Sequence, residues 1–291
     1  APLLPGDTFP DAPRFFQESV ERAKKFTLAS NISQLAALSK ARETLQRAEI
    51  PSFALKGAAL LESGIYQPGE RAMSDVDVLV QRKKLEEALS VLVANGWREE
   101  FPEKRDYFLR HHHNLRLLRK EGSSVVLELH WTPAHGERRM PEWDDVIPGS
   151  GNGESYLFPR SSQLHFLSVN AALHGYTGRL LFLYDLRRLI EHPGEEIDWT
   201  CFAALGEKTG TLQASLLALA CAREVFRAPV PEEILKAQSF TGRFFLRSLV
   251  PSSKWNGAWR SRALRLLMAD SFLERARLIG AGGGRWLARR T

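Results

Sequence analysis

The feature that most constrains this chain is a pair of aspartates in the apolar run SDVDVLV, residues 74–80. Asp75 and Asp77 are two positions apart, and in an extended strand such side chains point to the same face. The valines between and after them then face the opposite way, into a core. Two carboxylates held side by side repel each other unless a cation lies between them, and oxygen ligands at this density suit Mg²⁺ or Mn²⁺. The pair therefore predicts a divalent metal site.

The residues upstream of the acids predict a phosphate-binding turn. Residues 53–55 read as a short buried strand, Lys56 and Gly57 as a tight turn, and residues 58–63 as the start of a helix whose free N–H groups favour phosphate. A cation beside such a turn neutralises triphosphate charge, as the lysine of other phosphate loops does. Arg71 lies in the loop just before the acids, where bidentate phosphate contact is available. For both cations the alternative is a solvated surface position.

A hairpin further along the chain adds a third acid. Residues 115–119 and 125–131 read as two strands joined by a turn at residues 120–123. On the second strand, Glu128 and His130 share one face. Glu128 is therefore either a further metal ligand or a surface acid on a two-sided strand. His130 is expected to touch phosphate or to orient a ligand.

Three consecutive histidines precede this hairpin, at residues 111–113. Adjacent side chains in a strand point to opposite faces, so the three imidazoles cannot all ligate one ion. No metal site is predicted there.

Several of these motifs resemble one known protein family. The motifs concerned are LKGAAL at 55–60, Tyr66, Gly69, Arg71, SDVDVLV at 74–80, LELHW at 127–131 and NAALHGYTGRLLFLYDLRRLI at 170–190. Through these motifs the chain resembles, over about residues 30–230, the uncharacterised nucleotidyltransferase family of the DNA polymerase beta superfamily. That superfamily usually has Gly-Ser ahead of the helix and Asp-x-Asp after it, and here Lys56 and Gly57 hold the first place.

The resemblance implies a fold, a reaction and a set of site residues. The fold is α+β, in which a small mixed β-sheet with flanking helices (the nucleotidyltransferase fold) is followed by an all-helical domain. The reaction moves a nucleoside monophosphate from a nucleoside triphosphate, such as ATP, to an acceptor hydroxyl and releases pyrophosphate, with Mg²⁺ or Mn²⁺ as the cofactor. Glu128 matches the superfamily's third carboxylate. The catalytic and metal-binding residues are then Asp75, Asp77 and Glu128, and the nucleotide-binding residues are Lys56, Gly57, Arg71, Ser74 and His130.

A segment rich in Gly, Pro and Ser, residues 147–160, predicts a linker that divides the chain. Apolar residues at helical spacing predict two helices ahead of the first strand, at 14–29 and 32–48, with a break at Ser30 and Asn31. Beyond the linker the pattern is helical throughout. The predicted parts are an N-terminal arm and helices that pack on the catalytic domain (1–51), the catalytic domain (52–146), the linker, a helical domain that selects the substrate (161–279) and a flexible basic tail (280–291).

Charge is unevenly distributed along the chain, and this distribution is compatible with more than one function. The net charge is +6, but residues 241–291 alone contain 11 Lys and Arg against 2 acids, a net of +9. Such asymmetry suggests contact with RNA or another phosphate-bearing partner, or else a solvated basic surface. The acceptor is expected to be a small molecule or a protein. The alternatives are an RNA-directed nucleotidyltransferase and a non-catalytic nucleotide- or RNA-binding protein that keeps the fold.

Cysteine content and hydropathy bear on the compartment. Cys201 and Cys221 lie in apolar helical patterns, so no disulfide framework is predicted and a reducing environment is favoured. No run of eighteen apolar residues occurs, which argues against a membrane span, and residues 1–13 lack the features of a signal peptide. A cytoplasmic protein is therefore expected.

Overall fold

The computed structural model describes residues 12–119, 125–132, 159–175 and 180–237. Within these ranges, the residues up to 132 form one compact unit and those from 159 onward form a second. The predicted linker at 147–160 lies almost wholly outside the described residues. So do the predicted helices after residue 241 and the basic tail at 280–291.

The first unit is built on a mixed sheet. The described strands form one five-stranded sheet in the order β1-β2-β5-β4-β3. Strands β2 and β5 are parallel neighbours, and the other neighbouring pairs are antiparallel. This mixed sheet, with the helices on it and the helical region that follows, confirms the predicted α+β class. The strands are β1 (Ser52–Ala54), β2 (Val76–Val80), β3 (Trp97–Glu99), β4 (Asn114–Arg119) and β5 (Val126–His130).

Helices cover the apolar side of this sheet. Strand β2 is buried along its whole length, and Val76, Val78 and Val80 contribute to the main core, as the alternation of side chains requires. Leu38 and Leu45 reach that core from the first helix. The carboxylate of Asp77 is thereby directed to the other side of β2. The helices of the unit are α1 (Arg14–Arg47), α2 (Lys56–Glu62), α3 (Leu85–Ala94) and α4 (Arg105–His111).

Helix α1 runs without interruption through the break predicted at Ser30 and Asn31, so that prediction is wrong. Asparagine weakens a helix when its side chain competes for nearby backbone groups. Here the buried amide of Asn31 reaches a distant loop instead, where Nδ2 donates to the carbonyl oxygens of Pro68 and Arg71, each at 2.6 Å. A polar residue inside this helix therefore marks a tertiary contact.

The second unit is helical throughout its described residues. The helix α8 is buried at every position from 214 to 222, as expected for a helix surrounded by others, and it contacts α5, α6 and α7. Both cysteines are free. No described helix in the chain is both long enough and apolar enough to cross a membrane. The helices are α5 (Arg160–Leu173), α6 (Leu180–Glu191), α7 (Trp199–Thr209), α8 (Leu212–Phe226) and α9 (Glu232–Lys236).

A histidine is buried inside this helical unit. His165 on α5 places Nε2 3.0 Å from Oγ1 of Thr211 and Nδ1 3.4 Å from Oγ of Ser215. Its partners are neutral hydroxyls, and burial lowers the pKa of His165 to about 3. The imidazole is therefore neutral in the folded protein at ordinary pH.

Acid is expected to destabilise the protein through His165. The pKa in the folded state lies below the ordinary value of 6.5, so the unfolded chain takes up the proton first and stability is lost as the pH falls below 6.5. Linkage gives a loss of about 2 kcal/mol from this group between pH 7 and pH 5. Urea unfolding of the wild type and of His165→Gln at both pH values measures this change in the free energy of unfolding. The free energy of unfolding of the variant should fall by about 2 kcal/mol less than that of the wild type. Equal losses in the two proteins would show that His165 is not the group responsible.

Candidate functional site

Asp77 is the centre of a cluster of charged side chains on the side of β2 away from the main core. It is buried, and its Oδ1 atom lies 2.6 Å from Nζ of Lys56 and 2.8 Å from Nε2 of His130. A buried carboxylate needs such partners because removing a charge from water is costly. The parallel pairing of β2 with β5 sets Asp77 opposite Glu128 in the register. Residues 51 positions apart in sequence are thus brought together.

Glu128 on β5 contacts polar side chains of β4, of α2 and of its own strand. Its Oε2 atom accepts a hydrogen bond from Nδ2 of Asn114 at 2.6 Å and lies 3.4 Å from Nε2 of His130. Nζ of Lys56 is 4.0 Å from the same oxygen, while Nε of Arg116 is 3.7 Å from Oε1. Asn114 and Arg116 lie on β4, whose antiparallel register places Arg116 opposite Glu128.

The charges in this cluster act strongly on one another. Burial opposes ionisation of Asp77, but the His130 hydrogen bond and the Lys56 charge outweigh it and hold the pKa of Asp77 below its ordinary value. Burial also disfavours the Lys56 ammonium, yet Asp77 and Glu128 raise the pKa of Lys56. The pKa of Asp75 is raised by burial and then by the negative charges of Asp77 and Glu128. The three carboxylates therefore share one electrostatic environment.

The donor atoms present fit a divalent cation. Among the described residues, one oxygen of Asp77, one oxygen of Glu128 and one ring nitrogen of His130 lie within 4.8 Å of one another. Carboxylates suit Mg²⁺ and Mn²⁺, and imidazole extends the choice to other divalent transition metals. The third member of this group is His130, whereas the sequence analysis expected Asp75. Asp75 lies just before β2, and its Oδ1 accepts a hydrogen bond from Oγ of Ser74 at 3.0 Å.

Sequence reasoning placed His130 among the phosphate contacts and did not name it as a metal donor. Its ring is fully buried, and Nδ1 has no hydrogen-bond partner within the part of the chain that the structure describes. The sequence analysis also missed Asn114, because the strand that it predicted began one residue later, at residue 115. The register of the hairpin was the available signal, since it places Asn114 opposite His130.

The Lys56-Gly57 turn has an unusual backbone. Lys56 is the first residue of α2 and has a φ of 47°, which is uncommon for a residue with a side chain. Such conformations cluster at functional sites, where the surrounding structure holds them. The conformation lets the Lys56 side chain reach back to Asp77 on β2.

Gly57 lies directly against Arg71. A Cβ atom added at Gly57 would overlap Nη1 of Arg71 and would come within 3.0 Å of Cγ of Met73. The Arg71 side chain is buried, and its loop is held by α1, where Asn31 binds the Arg71 carbonyl and Gln34 donates to the Met73 carbonyl at 3.0 Å. The structure thus brings together two predicted nucleotide-binding residues, and α1 supplies the polar side chains that position them.

Gly57→Ala is expected to push the Arg71 guanidinium away from the turn. Binding of a nucleoside triphosphate should weaken by about ten-fold, as for the loss of one charge-assisted phosphate contact. Gly69→Ala is the matched control. Gly69 lies in the loop that contains Arg71, and a Cβ atom added there would meet Leu28 at an ordinary van der Waals distance of 3.7 Å.

A double-mutant cycle measured by calorimetry separates this effect from general damage. If Gly57 serves to admit Arg71, Gly57→Ala should have no further effect in an Arg71→Ala background. Full additivity of the two losses would contradict the assignment.

A comparison with known protein families gives a match. A family described as uncharacterised nucleotidyltransferases matches residues 8–227, which is more than half of the 291-residue chain. This match confirms the resemblance carried by the motifs around Asp77 and Glu128. No curated protein and no solved structure gives a significant match. The chain therefore belongs to the uncharacterised nucleotidyltransferase family.

Proposed function

We propose that this protein is a metal-dependent nucleotidyltransferase that moves a nucleoside monophosphate from a nucleoside triphosphate to an acceptor hydroxyl, on a small molecule or a protein. The observation that carries the proposal is the convergence of Lys56, His130 and Glu128 on the buried Asp77, in a member of a nucleotidyltransferase family. The reaction needs acidic side chains that bind a metal ion and a positively charged side chain that binds phosphate. This cluster contains both.

Asp77 and Glu128, with His130 or Asp75, would hold Mg²⁺ or Mn²⁺. Such an ion, when bound, neutralises phosphate charge and polarises the phosphorus that is attacked. The burial of Asp77 supports this role, because a carboxylate fixed by a strand and by two hydrogen-bonding partners keeps its position without further ordering.

Lys56 and Arg71 would bind the β- and γ-phosphates, with the Gly57 turn between them and Ser74 beside the acids. In the transfer step the acceptor oxygen forms a bond to the α-phosphorus, and the bond from that phosphorus to the bridging oxygen breaks. The electron pair leaves with pyrophosphate. Glu128 orients the acceptor hydroxyl and accepts its proton. Its partial exposure beside Arg116 supports access from solvent.

A transfer assay with labelled nucleotides tests this function. Each of the four α-labelled triphosphates is offered with Mg²⁺ or Mn²⁺ and, separately, with a small-metabolite fraction, a protein fraction and RNA. We expect metal-dependent label in the metabolite or the protein fraction. Label in RNA alone would favour the RNA-directed alternative that the net charge of +9 over residues 241–291 raises. Nucleotide binding without transfer to any acceptor would contradict the proposal and favour a non-catalytic binding protein.

A further inference from the structure

An aromatic cluster lies on and around α4, in the segment that contains the three consecutive histidines. The ring of Tyr107 has its centroid 4.8 Å from that of His111 and 5.6 Å from that of His112. Phe108 lies 4.7 Å from His112 and is stacked with Phe101 at 6.2 Å. We call these five residues the α4 aromatic cluster.

The α4 aromatic cluster is partly exposed to solvent, because Tyr107 and His111 are exposed while Phe101, Phe108 and His112 are half-buried. Tyr107 is 56% exposed, and α4 has no buried residue. A large ring left at the surface gains little from folding, whereas rings held by their neighbours form a surface already ordered for stacking. The histidines add ring nitrogens at the same place, which donate or accept hydrogen bonds. The cluster thus has both the faces and the polar edges that a planar heteroaromatic ring would contact.

The cluster adjoins the candidate site. Helix α4 ends at His111, and β4 begins three residues later at Asn114, whose side chain binds Glu128. Between them, the ring of His113 has its centroid 5.1 Å from that of His130. The backbone N–H of Trp131 also donates to the carbonyl of His113 at 3.1 Å, which fixes the segment to the end of β5. The chain therefore leads directly from the α4 aromatic cluster to residues that contact His130 and Glu128.

Charged groups of both signs lie beside the α4 aromatic cluster. Nζ of Lys104 lies 5.3 Å from the centroid of the Phe101 ring, and Arg110 is exposed in the last turn of α4. Asp106 and Glu103 balance these charges. The cluster is thus apolar and nearly neutral, next to a site rich in charge. This division matches the two ends of a nucleotide.

We propose that the α4 aromatic cluster is a stacking subsite for the base of the nucleoside triphosphate whose phosphates bind beside Asp77. This inference rests on the proposed function and adds the part of the substrate that the charged residues do not contact. Stacking uses the face that every base has, so the subsite favours a nucleotide over bare phosphate and discriminates weakly among bases. Two of the three adjacent histidines, His111 and His112, thereby acquire a role other than metal ligation.

The experiment compares two kinds of ligand, one with a nucleoside and one without. Binding of the non-hydrolysable α,β-methylene analogues of the four ribonucleoside triphosphates, and of tripolyphosphate, is measured calorimetrically on the full chain with Mn²⁺ present. The wild type should bind the analogues more tightly than tripolyphosphate. Tyr107→Leu should weaken binding of the analogues by about ten-fold, within the range for loss of one stacked aromatic, and leave binding of tripolyphosphate unchanged. Tyr107→Trp should restore binding of the analogues.

The matched control is Phe26→Leu on α1, which removes an aromatic side chain that is 75% exposed in the same unit and should change neither affinity. The subsite is wrong if Tyr107→Leu leaves both affinities unchanged or weakens both equally. It is also wrong if the wild type binds tripolyphosphate as tightly as the analogues. If the wild type binds neither kind of ligand, the proposed function fails and the subsite fails with it.

Discussion

Asp77→Asn is expected to abolish metal-dependent nucleotide transfer while the chain remains folded. Asparagine has nearly the volume of aspartate, but it removes one negative charge from the group of donors that includes Glu128 and His130. A bound cation supplies several kcal/mol of transition-state stabilisation, so transfer should fall by about a thousand-fold or more. Initial rates of labelled-nucleotide transfer measure the loss.

The control for this variant is Glu43→Gln, which removes one acidic charge from an exposed position on α1. Transfer should be unaffected by that change. Circular dichroism and urea unfolding should show that Asp77→Asn is folded but less stable, because Lys56 and His130 lose a buried anionic partner. A thermal shift with Mn²⁺ should be present in the wild type and absent from the variant. Full activity in the folded variant would contradict the role given to Asp77.

Local patterns predicted the elements of the sheet that surround the site. The bounds of β2 agree with the apolar run around Asp77, and in β5 apolar residues alternate with Glu128 and His130. Helix α3 likewise has leucines at helical spacing and is followed by Asn95-Gly96, a usual helix stop. In each case the signal lies within a few residues of the element that it specifies.

Contacts between distant residues could not be predicted in this way. The break assigned to Asn31 was wrong because its hydrogen-bond partners are 37 and 40 positions away, and nothing near position 31 indicates them. The Lys56 to Asp77 pair spans 21 positions, and sequence alone assigned the two residues to phosphate and to metal separately. A pattern gives residue types and faces, whereas pairing depends on how strands and loops pack together.

The contact between Lys56 and Asp77 is expected to affect metal binding and nucleotide binding in opposite ways. Nζ of Lys56 lies 2.6 Å from Asp77 and 4.0 Å from Glu128, so the ammonium occupies the carboxylates that a divalent cation would use. Under the proposed function, lysine and metal would compete for these oxygens when no nucleotide is bound. A bound triphosphate would offer the ammonium phosphate oxygens to contact and would relieve the competition. Metal and nucleotide should therefore favour each other's binding.

Lys56→Met is expected to weaken nucleotide binding and to strengthen metal binding. Nucleotide affinity should fall by about ten- to a hundred-fold, because charge-assisted phosphate contacts are lost. The affinity of the nucleotide-free protein for Mn²⁺ should rise by about ten-fold, since one positive charge near Asp77 is removed from a partly buried site. Calorimetric titrations of Mn²⁺ without nucleotide, and of nucleotide at saturating Mn²⁺, measure the two changes separately.

The matched control for Lys56→Met is Arg116→Met. Arg116 also approaches Glu128, at 3.7 Å, but its side chain is 41% exposed, so water and salt screen its charge and its removal should change the metal affinity far less. Mn²⁺ binding that is unchanged or weaker in Lys56→Met would contradict the competition. If lysine and metal compete, Lys56→Met should also lose most of the effect that metal and nucleotide have on each other's affinity. The reason is that the variant lacks the side chain that would move from the carboxylates to the phosphates.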